Sequence, residues 1–200
     1  MDFAFVSGDP ALDLVGTVLS REDQRLDLLG EPGDLERWIA RCEPLPDRVT
    51  VDETSFAAAL SLREAVHRLA LDRVRGRSFD PRALGGVNAA AAGPAPAVTL
   101  GDDGIRREGD LRAVLAQIAR GAVDVLGDPG ARLKECARPG CTRLFLDRSR
   151  GARRTWCGMD GCGNRVKAAA YRARRRAASR GPGAGSAAVD APLGTPRSVG

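Results

Sequence analysis

CARPGCTRLFLDRSRGARRTWCGMDGCGNR, residues 136–165, holds four of the chain's five cysteines as two CxxxxC pairs with fifteen residues between them. Each pair encloses turn formers: Arg138-Pro139-Gly140 in the first, Gly158 through Gly161 in the second. A metal knuckle must reverse the chain tightly enough to aim two sulfurs at one ion about 2.3 Å away, and glycine adopts the backbone angles that other residues resist. Cys136, Cys141, Cys157 and Cys162 are therefore candidate ligands of a single zinc ion. Four thiolates close the tetrahedron and leave no position for water, and no His lies in this stretch, so the zinc is expected to be structural. A disulfide framework fits less well. Five cysteines are an odd number, and the start MDFAFVSGDP lacks the basic and apolar regions of an export signal, which points to a reducing compartment.

Between the pairs, residues 142–156 read as two short strands with a bend at Ser149-Arg150-Gly151. Leu144 and Leu146 share one strand face and Phe145 takes the other. After Cys162, Gly163-Asn164 opens a helix whose Val166, Ala170, Ala173 and Ala177 form a narrow apolar stripe, expected to lie against the hairpin. Knuckle, β-hairpin and basic helix in that order make a small treble-clef-like zinc module. Some 45 residues bury little core, so metal contributes much of its folding free energy, on the order of 10 kcal/mol. Loss of zinc is expected to unfold this module and leave the rest of the chain folded.

The formal net charge of +5 hides an asymmetry. Residues 1–131 carry 15 Arg and no Lys against 22 acids, a balance of −7, whereas residues 132–180 carry 15 Lys and Arg against 3 acids, which is +12. Such segregation attaches a basic module to an acidic one, and a polyanion is the usual partner of the basic part. Arg148, Arg150, Arg153 and Arg154 cluster between the cysteine pairs. On the helix, Arg165, Arg172 and Arg176 project together, Lys167 and Arg174 lie roughly opposite, and Arg175 completes the run. Trp156 and Tyr171 stand among them. A basic helix fits the major groove of DNA, and Arg both grips phosphate and reads guanine. RNA, or an acidic protein, satisfies the same electrostatics.

Upstream the pattern is mainly helical. Gly8-Asp9-Pro10 reads as a turn before a short helix over residues 11–19. Leu35, Trp38, Ile39 and Cys42 lie on one face of a second helix with Asp34 as its cap. A long helix over 52–75 buries Phe56, Ala59, Leu62, Val66, Leu69 and Ala70, with His67 at its flank. Another is expected over 81–92. AVTLGDDGIRRE, residues 97–108, reads as a hairpin, and Asp110 caps a helix carrying Leu111, Val114, Leu115, Ile118, Ala122 and Val125.

The expected fold class is α+β: a mainly helical domain with a short β-hairpin over residues 1–130, the zinc module over 131–180, and a tail over 181–200. That tail has five Gly and three Pro and is expected to be disordered. With 43% apolar and 28% charged residues and no run of 18 apolar residues, a soluble cytoplasmic protein without a membrane span is expected. No GxGxxG, P-loop or GxSxG segment occurs and His67 is the sole His, so an enzyme is not expected.

The run Cys162-Gly163-Asn164-Arg165, the FxDxS segment Phe145-Leu146-Asp147-Arg148-Ser149 and the RR-x-WC segment ending at Cys157 occur in order, and residues 132–176 thereby resemble the CGNR zinc finger. ALDLVGTV and DLLGEPGDLERWI resemble the ABATE-type domain that precedes this finger in bacterial proteins described as stress-induced transcription regulators. Gly16 stands where that family's LDxxNT segment has Asn, and Tyr171 where a His is common. The resemblance implies four-Cys zinc binding and DNA binding by a nucleoid-associated regulator. Its N-terminal domain is then expected to sense a signal, such as a small-molecule effector, or to form a homodimer.

Overall fold

The computed structural model describes residues 2–179. The expected tail, residues 181–200, lies outside them. The chain forms two compact units, the first ending at Asn164 and the second beginning at Arg165.

In the first unit, Phe3 and Phe5 run without regular structure but pack against the main core. Helix α1 (Pro10–Val15) starts at the Asp9 cap, whose carboxylate accepts the Ala11 N–H at 2.8 Å. It stops well short of residue 19, which the sequence pattern had placed in it. Gly16 and Thr17 turn the chain, the Thr17 hydroxyl donates to the Leu14 carbonyl at 2.7 Å, and β1 (Val18–Leu19) pairs antiparallel with β2 (Leu26–Asp27). Helix α2 (Pro32–Ile39) also starts differently: Asp34 sits in its first turn and accepts the N–H groups of Gly30 and Glu31 at 2.9 and 3.1 Å. Its Leu35, Trp38 and Ile39, with Cys42 beyond it, are buried as expected.

Asp52 caps the long helix α3 (Glu53–Val74), which runs through the core beside α1, α2, and the two helices that follow, α4 (Pro81–Ala91) and α5 (Leu111–Gly127). All six apolar residues anticipated on α3 and all six on α5 are buried. At about 1.5–3 kcal/mol for each large aliphatic side chain, these faces supply the main drive to fold. Between α4 and α5 the hairpin β3 (Ala97–Gly101) and β4 (Gly104–Glu108) turns at Asp102-Asp103.

Charged side chains fasten this core. Arg63, 2% exposed, donates from both Nη atoms to the two oxygens of Asp27 at 2.7 Å, and from Nη1 to Thr17 Oγ1 at 3.2 Å. One guanidinium thus ties α3 to the β1–β2 pair. Asp72, equally buried, accepts the Asp80 N–H at 3.1 Å and so joins the end of α3 to the start of α4.

The remaining strands, β5 (Leu133–Glu135) and β6 (Leu144–Leu146), pair antiparallel across the first cysteine pair. The sequence pattern had put both strands of a hairpin between the two cysteine pairs. Instead the second strand comes from upstream, because residues 147–154 are held by side-chain bonds rather than by a ladder. In the second unit, α6 (Asn164–Ser179) exposes Ala170 and Ala173 of its stripe, while Val166 is half-buried.

Replacing Arg63 with Ala leaves the Asp27 carboxylate without its partner, and is expected to lower the unfolding free energy by about 3 kcal/mol in urea. Burial raises the Asp27 carboxyl, but Arg63 and the Leu29 N–H outweigh it and hold it below its usual value. Its contribution is therefore complete above about pH 4 and lost as pH falls through the lower folded value. The gap between the wild-type and Arg63→Ala stability curves should narrow in that acid range.

Candidate metal centre and arginine loop

Strand β5 leads straight into the first knuckle. The Cys136 N–H donates to the Arg143 carbonyl at 2.9 Å, the Cys141 N–H to the Arg138 carbonyl at 2.9 Å, and Gly140 turns the chain at a φ of +72° that favours glycine. In the second pair Cys157 precedes, and Cys162 sits on, a wide helical turn over Met159–Gly163, closed by the Gly163 N–H on the Gly158 carbonyl at 3.0 Å. The pairs interlock, since the Cys157 N–H points at Cys136 Sγ 3.4 Å away.

The four Sγ atoms of Cys136, Cys141, Cys157 and Cys162 all lie within 4.8 Å of one another. Separations are 3.9 Å for 141–157, 3.5 Å for 157–162 and 3.6 Å for 141–162. Sulfurs bound at 2.3 Å to a tetrahedral ion stand about 3.8 Å apart, so the cage already has the size of a zinc site. No disulfide joins any of the four. Hydrogen bonds from Cys157 hold the Cys141 thiol well below its usual value, while that same bond and burial push Cys157 up and burial pushes Cys136 up. Four adjacent thiolates repel one another, and a dication removes that conflict. One structural zinc ion is therefore held by these four residues, with Arg138 Nε donating to Cys162 Sγ at 3.1 Å from outside the cage. Phe145, Trp156 and Val6 pack against the cysteines.

The FxDxS segment has a separate task. The Asp147 side chain is fully buried and accepts from Lys134 Nζ at 2.6 Å, Ser149 N at 3.0 Å, Ser149 Oγ at 2.5 Å and Arg154 N at 3.0 Å. Burial raises its carboxyl, but the Lys134 and Ser149 bonds outweigh that and hold it well below the usual carboxylate range. One carboxylate thus shapes the whole loop 147–154, helped by Gly151 at a φ of +76°.

The candidate nucleic-acid residues divide sharply. Arg148, Arg150 and Arg153 project from this loop into solvent. Arg154 does not. Its guanidinium stacks on Phe145 at 4.5 Å and donates to the carbonyls of Trp156 (2.9 Å), Val6 (2.7 Å) and Cys157, so it is withdrawn from the set expected to meet a polyanion. In the second unit Arg165, Lys167, Arg172, Arg174, Arg175 and Arg176 are all exposed along α6. Sequence reasoning missed Lys134, Arg138 and Arg154 as internal fasteners, because nothing in their spacing separates a committed cation from a free one.

Strand β6 joins the metal centre to the helical core. Leu144 and Leu146 belong to the main core and Phe145 to the cysteine cluster. The Leu146 N–H bonds the Ser7 carbonyl at 2.8 Å, and Asp13 of α1 accepts the N–H groups of Val6 and Ser7 at 3.0 and 2.9 Å. Contrary to the expectation of a separable module, zinc removal should loosen the helices too. We expect Cys157→Ser to abolish stoichiometric zinc and to lower the melting temperature of the far-ultraviolet helical signal. Arg154→Ala should hasten zinc transfer to a chromophoric chelator, whereas Arg150→Ala should leave that rate unchanged.

Comparison with known families agrees with this geometry. The ABATE family model, whose description is "Putative stress-induced transcription regulator", matches residues 8–129, and the CGNR zinc finger model matches residues 132–175. A search of curated proteins found no match. With more than half its length matched by the first model and its tetrathiolate cage inside the second, the chain belongs to the ABATE family and carries a CGNR zinc finger.

Proposed function

We propose that this protein is a DNA-binding transcription regulator, acting on the nucleoid in the cytoplasm, in which zinc shapes the finger and surplus arginines grip the duplex. The observation that carries this reading is the division of the finger's cations. Lys134, Arg138 and Arg154 are committed to bonds within the finger, while Arg148, Arg150 and Arg153 on the Asp147-braced loop, and six more cations on α6, make no comparable bonds among the described residues. A loop held by a buried carboxylate presents its guanidinium groups with little conformational freedom left to lose on binding. The exposed helix suits the major groove, where Arg addresses phosphate or guanine.

The family description supports regulation and a response to stress. We assign no catalysis to the helical core. Burial and the adjacent Arg21 push His67 down to about 4, and burial pushes the Cys42 thiol up to about 12, so neither is poised for proton transfer or attack near neutral pH. Among the described residues no helix is long and apolar enough to cross a membrane.

Titration of a fluorescent duplex against salt tests the reading. If about six phosphates are neutralised, log K should fall against log salt with a slope of about −5. Replacing Arg148, Arg150 and Arg153 together with Ala should flatten that slope by about 2–3 and leave the zinc content unchanged. A slope near zero, or tighter binding to structured RNA or heparin than to any duplex, would overturn it.

A further inference from the structure

The β3–β4 hairpin stands apart from the core, and neither strand packs broadly on another element. Its register sets Leu100 opposite Ile105 and Val98 opposite Arg107, so Val98, Leu100 and Ile105 share one face, 62, 85 and 59% exposed. Among the described residues both outer edges of this two-stranded sheet are unpaired. Natural edges are usually protected by charge, proline or a bulge. The β4 edge carries Arg106, Arg107 and Glu108, whereas β3, Ala97-Val98-Thr99-Leu100-Gly101, carries no charge and no proline.

We infer that β3 is the docking edge for a second copy of this chain, with the two β3 strands antiparallel about Thr99. In an antiparallel ladder hydrogen-bonded pairs alternate, so counting from the Gly101–Gly104 pair beside the turn leaves the N–H and C=O groups of Val98 and Leu100 facing outward. A twofold axis at Thr99 sets Val98 against the partner's Leu100 and Leu100 against the partner's Val98, which uses every outward group of the strand in four hydrogen bonds. An axis at Val98 would bring Leu100 against Pro96, which has no N–H, and an axis at Leu100 would bring Val98 against the turn residue Asp102.

Charge excludes the other edge. The equivalent pairing of β4, about Arg106, sets that guanidinium against its own copy, and like charges directly opposite destabilise a sheet. Pairing through β3 instead lays Leu100 beside the partner's Val98, so that Ile105, Leu100 and the partner's Val98 form an apolar row on each side of the axis, with Arg107 only at its outer end. The joint is small, so a dimer of micromolar affinity is expected.

Sedimentation equilibrium of the zinc-loaded full chain at tens of micromolar tests this. Wild type should give twice the 21.1 kDa chain mass. Thr99 is exposed and directly on the axis, so Thr99→Lys and Thr99→Glu should each weaken association at least tenfold while leaving the circular dichroism spectrum and zinc content unchanged. Mixing the two variants in equal amounts should restore the dimer. A monomeric wild type, a dimer indifferent to charge at Thr99, or a mixture that stays monomeric would each overturn the inference. DNA affinity is not part of the readout, so this result stands apart from the proposed function.

Discussion

Three residues, Leu144-Phe145-Leu146, divide the interior of the first unit in two. A strand must send successive side chains to opposite faces, and here the two leucines enter the helical core while Phe145 closes the thiolate cage. Every other feature of the finger is built around that alternation. The first knuckle is the connection between β5 and β6, the Asp147 loop follows directly from β6, and Arg154 of that loop folds back over Phe145. Metal site and helices therefore share one wall.

Charged groups do much of the work that a larger core would do. The chain is only 4% aromatic, and its joints are made by Arg63 on Asp27, Asp13 on Val6 and Ser7, Asp147 on its own loop, and Arg154 on four carbonyls, Leu146 among them. Each removes an ion from water, which is favourable only when its hydrogen bonds are nearly all met. Asp147 accepts four of them. Such joints are directional, which suits a protein whose exposed loop must hold a fixed shape.

This arrangement gives the arginine-rich composition a division of labour. Cations that reach backbone carbonyls or sulfur set the geometry; cations that do not are left to face solvent. The distinction depends on a few ångströms of reach, not on residue type. Arg153 and Arg154 are neighbours in the chain, yet one is exposed and the other covers Phe145.

The sequence by itself determined the helices of the acidic half, the hairpin at Asp102-Asp103 and the identity of the four zinc ligands. Those rest on short-range physics: apolar periodicity, capping carboxylates, turn formers and the spacing of soft ligands within one knuckle. Tertiary structure decided the rest. The burial of Arg63 and the withdrawal of Arg154 depend on groups far away in the chain, Asp27 for Arg63 and Val6 for Arg154. No local pattern encodes which distant carbonyl or carboxylate will come within hydrogen-bond reach, because that distance exists only after the core has closed.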